Sequence, residues 1–78
     1  MRILFVGDVV GAPGRRILRA RLSGLKRDVG ADLAIVNGEN AAGGAGLTAP
    51  TAAEILAAGA DVVLAYIDQS RSLDANKN

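Results

Sequence analysis

Leu33-Ala34-Ile35-Val36-Asn37-Gly38-Glu39-Asn40 sets four apolar residues directly before a polar turn. A short apolar run bounded by turn residues reads as a strand. Two similar runs flank it. Ile3-Leu4-Phe5-Val6 stops at Gly7-Asp8, and Val62-Val63-Leu64-Ala65 stops at Tyr66. The first, rich in branched residues, fits a strand buried on both faces.

Between the runs the period changes. After a loop over Val9-Val10-Gly11-Ala12-Pro13-Gly14, residues Ile17, Leu18, Leu22, Leu25 and Val29 follow steps of 1, 4, 3 and 4. Those steps trace one stripe of an amphipathic helix that Gly30 stops. Gly24 within it costs about 1 kcal/mol relative to Ala. The stretch Ala41-Ala42-Gly43-Gly44-Ala45-Gly46 is too rich in Gly for regular structure. A second helix follows, capped by Thr48 or Thr51, with Thr51 and Glu54 at capping-box spacing. Ile55 and Leu56 supply its buried face, and Gly59 ends it. The order β-α-β-α-β, with helical crossovers, predicts an α/β fold with a three-stranded parallel sheet. Residues 1–65 form this partial domain. Residues 66–78 form a polar tail, expected to be a short helix or disordered.

Composition narrows the chemistry. The chain has 78 residues, half of them apolar and 22% charged, which excludes intrinsic disorder throughout. It has neither Cys nor His, which excludes disulfides, thiolate metal sites, Ser-His-Asp triads and Cys-His dyads within it. A net charge of +1 gives no global field for nucleic acid, and no run is long enough for a membrane span. A cytoplasmic location is the expectation.

In an open parallel sheet, function gathers at the carboxyl ends of the strands. Those ends bring Asp8, Glu39 and Asn40 to one edge, a set of hard oxygen donors suited to a divalent cation. The plainer reading makes Asp8 a cap or turn residue and Asn37-Gly38 a turn pair. Gly7, Gly11 and Gly14 do not match the dinucleotide fingerprint Gly-x-Gly-x-x-Gly. A phosphate could still rest at the start of the first helix. Arg15 and Arg16 there oppose the helix dipole by about 0.3–1 kcal/mol, which favours a nearby anion. That helix carries six cations from Arg15 to Arg27. The set reads either as a phosphate-facing surface or as a solvated one, and no interleaved aromatic residues support base stacking.

Several strings in this sequence also resemble a known family. Arg2-Ile3-Leu4-Phe5-Val6-Gly7-Asp8-Val9-Val10-Gly11 with Pro13-Gly14-Arg15-Arg16 is similar to the bacterial YmdB-like branch of the calcineurin-like metallophosphoesterases. So are Val36-Asn37-Gly38-Glu39-Asn40-Ala41-Ala42-Gly43-Gly44, Gly46-Leu47-Thr48 and Ala58-Gly59-Ala60-Asp61-Val62-Val63. The likeness runs from residue 1 to about 64. It implies part of a four-layer α/β/β/α fold and a two-metal site that hydrolyses phosphodiesters, 2′,3′-cyclic nucleotides among them. By position it implies that Asp8 ligates one metal, Glu39 bridges two and Asn40 ligates the second, the metals being Mn, Fe or Mg. The family's next motif, Gly-Asn-His, falls on Tyr66-Ile67-Asp68 here. The resemblance therefore implies an incomplete catalytic set, weak metal binding and little or no turnover by the chain alone. A phosphate-containing small molecule remains the expected kind of ligand.

The alternative is a non-catalytic α/β module, or a frameshifted or engineered fragment. A three-stranded sheet with two helices leaves raw edges and an uncovered face, so a homo-oligomer is expected.

Overall fold

The computed structural model describes residues 1–65. The expectations for 66–78 lie outside the described residues. The chain forms β1 (Ile3–Asp8), α1 (Gly11–Asp28), β2 (Leu33–Asn37), a single 3-10 turn (Gly43–Ala45), α2 (Ala49–Ala58) and β3 (Val62–Leu64). The three strands are parallel in the order β1-β2-β3. Among the described residues no helix is long and apolar enough to cross a membrane.

Both helices cover the same sheet face. Leu18 and Leu22 of α1 and Ile55 of α2 bury themselves with Ala34 and Val36 of the central strand, and Leu4, Val6 and Val63 pack against them. Strand side chains alternate between faces, so Ile3, Phe5, Leu33, Ile35, Val62 and Leu64 fall on the other side. No described element covers that side. This corrects the expectation that the first strand is buried on both faces. A parallel strand reaches that state only where helices lie on each side, and here they lie on one.

The helix stripe is narrower than its spacing predicts. Leu18 and Leu22 are buried, but Ile17 is 66% exposed and Leu25 and Val29 also face outward. A sheet of three strands is too small to cover the whole stripe. Leu56, expected in the buried face of α2, is 48% exposed for the same reason.

Helix ends follow local chemistry. α1 begins within the expected loop, at Gly11. Pro13 is tolerated there because the first turn has no use for its missing N–H. Val10 offers no capping side chain, and the Gly11 N–H instead donates to the Asn40 carbonyl at 3.0 Å. At the other end, the Ala31 N–H donates to the Lys26 carbonyl (2.9 Å) and the Gly30 N–H to that of Arg27 (3.2 Å). This is a Schellman closure, and it needs the positive φ that Gly30 adopts at 66°.

Thr48 caps α2, and its reciprocal partner is Thr51, whose Oγ1 accepts from the Thr48 N–H at 3.0 Å. The expected Thr51–Glu54 box does not form. Two arginines of α1 draw Glu54 away. Arg15 Nε donates to Glu54 Oε2 at 2.8 Å, and Arg19 donates to Glu54 Oε1. Arg15 also donates to the Ala41 carbonyl. A further pair, Lys26 Nζ to Asp61 Oδ2 at 2.7 Å, ties α1 to the residue before β3. The helix cations thus clamp the two helices and the sheet edge together.

Candidate functional site

The site begins with an irregularity in β1. Ile3 through Val6 pair in step with Leu33 through Val36, but Asp8, not Gly7, stands beside Asn37. One residue has been inserted at Gly7, the signature of a β-bulge. In unbroken alternation Asp8 would join Leu4 and Val6 beneath the helices. The extra residue shifts the phase, so Val9 enters the core and Asp8 stays exposed at the strand end. The sequence reading misses this bulge, although an isolated Gly within a strand pattern is a signal for one.

The second contributor is the loop after β2. Asn37 Oδ1 accepts from the Glu39 N–H at 3.1 Å, which folds the chain into a local turn. Gly38 sits where this turn crosses the core. A Cβ there would lie 2.9 Å from Val63 Cγ1 and 3.3 Å from both Ile55 Cδ1 and Leu47 Cδ1. Its N–H donates to the Leu64 carbonyl at 2.8 Å, which fixes the turn to β3. The next residues are thereby carried over the carboxyl ends of the strands. The Asn40 carbonyl accepts from Gly11 and Gly43, so the position of Asn40 is set from both sides.

Asp8 and Asn40, 32 residues apart in sequence, meet here. Asn40 Nδ2 donates to Asp8 Oδ1 at 3.1 Å and to Oδ2 at 2.9 Å. Glu39 behaves differently. Its carboxylate accepts from Asn37 Nδ2 at 3.3 Å, and no hydrogen bond joins it to Asp8. Of the three candidate ligands, then, two touch and the third is turned to a neighbour. Asn37 is a member of this polar cluster that the sequence reading treats only as part of a turn. Among the described residues, no group of three His, Cys, Asp or Glu side chains is arranged to hold a metal ion.

The anion expected near the start of α1 is supplied by the chain itself. Glu54 occupies Arg15, so that guanidinium is committed to an internal ion pair and not held open for a phosphate.

The donors at the strand ends are a carboxylate, two amides and a second carboxylate. In its present orientation Asn40 turns its amide nitrogen to Asp8. Rotation of that amide by 180° would place an oxygen beside the carboxylate, the arrangement a shared hard cation requires. By type, these hard oxygen donors suit a divalent cation.

Comparison with known proteins places this geometry in context. A 2′,3′-cyclic-nucleotide 2′-phosphodiesterase of Bacillus subtilis is 46% identical over 63 residues, 81% of this chain and 24% of that protein. The crystal structure of a phosphatase from Mycoplasma pneumoniae superposes with a TM-score of 0.74 at 39% identity, over 78% of this chain and 22% of that one. A hypothetical protein from Thermus thermophilus gives 0.72 at 43% identity, over 81% of this chain and 24% of that one. The chain spans about a quarter of the length of these relatives. The sequence pattern described as YmdB-like protein matches residues 4–65, from the first strand through the bulge and the Asn37–Asn40 turn to the end of β3. Over nearly all of its described length, therefore, this chain belongs to the YmdB-like protein family.

Proposed function

We propose that this chain is a relative, over about a quarter of their length, of the dinuclear-metal phosphodiesterases, of the type acting on 2′,3′-cyclic nucleotides, with little or no turnover by itself. The observation that carries this reading is the Asp8–Asn40 contact between the ends of β1 and the β2 loop. Similarity to the Bacillus subtilis phosphodiesterase over 81% of the chain supports the reaction class. Tyr66-Ile67-Asp68, standing where the resemblance places Gly-Asn-His, supports the low turnover.

Asp8, Asn40 and Glu39 would hold the cation, Mn, Fe or Mg. A bound divalent ion supplies Lewis acidity at a phosphoryl oxygen and lowers the pKa of a water. The chain's own contribution is positional. The bulge at Gly7 presents Asp8 at the rim, and the Asn37 turn holds Asn40 against it. Release of Glu39 from Asn37 would free a second carboxylate one residue away. With so few donors, binding is weak. The side chain of Ile67, where the family's Asn ligand is expected, has no donor atom.

One observation favours a second reading. The sheet has an apolar face that no described element covers, as expected of a non-catalytic α/β module whose copies assemble.

The test is hydrolysis of bis(p-nitrophenyl) phosphate and of 2′,3′-cyclic AMP with added Mn²⁺ or Fe²⁺. The expected rate lies close to that of an Asp8→Asn, Glu39→Gln control. Turnover of about 1 s⁻¹ or more, the range of ordinary enzymes, would refute the reading of an incomplete site.

A further inference from the structure

Two side-chain amides stand among the donors at the strand ends, and each is engaged by a carboxylate. Asn40 Nδ2 donates to both oxygens of Asp8, at 3.1 and 2.9 Å. Asn37 Nδ2 donates to Glu39 Oε1 at 3.3 Å. The two pairings share no residue, so Glu39 is occupied outside the Asp8–Asn40 pair.

Asn37 is firmly placed. It stands between Asp8 of β1 and Leu64 of β3 in the sheet register. Its carbonyl accepts from the Val9 N–H at 3.2 Å, and the Gly38 N–H that follows donates to the Leu64 carbonyl at 2.8 Å. The side chain is fixed as well, since Oδ1 accepts from the Glu39 N–H at 3.1 Å. An amide carries its acceptor and its donors on opposite arms of one plane, so fixing the oxygen aims the nitrogen. Glu39, by contrast, holds its carboxylate on a flexible stem. Its Oε1 meets Asn37 alone among the described residues.

We propose that Asn37 is a positioning residue that latches Glu39 in a resting orientation, from which a divalent cation entering at Asp8 and Asn40 must draw it away. The inference rests on the cation-binding reading above and adds the residue that opposes binding. A carboxylate oxygen held by an amide donor gives up that bond when it turns to a cation elsewhere. Asn37 cannot follow it, because its backbone is tied to both neighbouring strands. The rival role has Asn37 steer Glu39 towards the cation through its other oxygen. Loss of such a supporting partner lowers metal affinity about 10–100-fold. The two roles therefore predict opposite signs. The bonding pattern favours the latch, since in the orientation Asn37 holds, no hydrogen bond joins Glu39 to Asp8 or Asn40.

The test is Mn²⁺ titration of the 78-residue chain, read from the broadening of the Asp8 and Asn40 amides in NMR spectra. Asn37→Thr keeps an oxygen for the Glu39 N–H and removes the amide donor. It should raise Mn²⁺ affinity about three- to tenfold, the worth of one long hydrogen bond to a charged group. In a Glu39→Ala background the same substitution should change affinity by less than about twofold, because no carboxylate is left to release. Weaker or unchanged binding in Asn37→Thr would overturn the latch, and so would a gain that persists in Glu39→Ala. Should Asn37→Thr fail to fold by circular dichroism, Mg²⁺ added to the unaltered chain decides. The Asn37 side-chain amide signals should move as the Asp8 amide responds, and signals that stay in place would overturn the latch while leaving the cation site standing. No response at Asp8 and Asn40 in either protein would overturn the cation reading and the latch with it.

Discussion

Gly38→Ala is the sharpest probe of how the core supports the site. The added Cβ would lie 2.9 Å from Val63 Cγ1, against an ordinary carbon contact of about 3.5–4.0 Å. It would also press on Ile55 Cδ1 and Leu47 Cδ1, both at 3.3 Å. Val63 cannot simply rotate away, because a β-branched side chain is stiff at χ1. Ile55 is fully buried and has nowhere to retreat. Overpacking of this kind costs about 1–3 kcal/mol. Replacing Gly restricts the unfolded chain and returns about 0.4–1 kcal/mol. The net loss is about 1–2 kcal/mol, or about 5–15 °C in Tm for a domain of this size. Gly7→Ala is the control, since nothing lies within 4 Å of its added Cβ. It should be neutral or stabilising by up to about 1 kcal/mol. Urea and thermal melts followed by circular dichroism at one fixed protein concentration measure both, which holds any association constant. Equal stability of the two variants, within about 0.3 kcal/mol, would refute the packing argument.

Two further outcomes follow from the ion pairs. Arg15 and Glu54 are each about three-quarters buried in their side chains, so their coupling exceeds that of a surface pair. A double-mutant cycle of Arg15→Met and Glu54→Gln should give about 1 kcal/mol, and a value under about 0.3 would show the helix clamp to be decorative. Asp61 is held below its ordinary pKa of 3.8, first by the hydrogen bond from Lys26 and then by the Ala34 N–H, with desolvation opposing them and the Lys26 charge adding the least. A carboxylate depressed on folding stabilises above its unfolded pKa and loses that contribution as pH falls through the folded one. Stability should therefore decline below about pH 4 in the native chain, and Asp61→Asn should flatten that decline. Parallel acid limbs for the two proteins in melts over the acid range would contradict the assignment.

The fold was legible because three apolar runs and two helical stretches alternate without ambiguity. Leu33 to Val36 form a strand as read, with Ala34 and Val36 buried, and Gly30 and Gly59 end the helices where expected. The edges of the reading failed where a tertiary partner overrode a local signal. Thr51 and Glu54 have the spacing of a cap, but Arg15 and Arg19 lie across the helix interface, and position in sequence does not reveal that. Ile17 and Leu56 fit the apolar periodicity of their helices, and a sheet of three strands leaves them uncovered. At the site, residue types and strand-end positions pointed to Asp8, Glu39 and Asn40. The phase shift that presents Asp8 depends on one residue, Gly7, whose bulge emerges only when β1 is paired with β2. The part played by Asn37, which holds the Glu39 carboxylate, is likewise a matter of side-chain geometry.

The proposed cation-binding nucleus lies where the ends of β1 and β2 meet. Paramagnetic broadening by Mn²⁺, followed residue by residue in amide NMR spectra of the ¹⁵N-labelled chain, tests it directly. Substoichiometric Mn²⁺ should broaden Asp8, Glu39 and Asn40 first, and Asp8→Asn should abolish that pattern while leaving the spectrum of the fold intact. Broadening centred elsewhere, or the same broadening in Asp8→Asn, would contradict it.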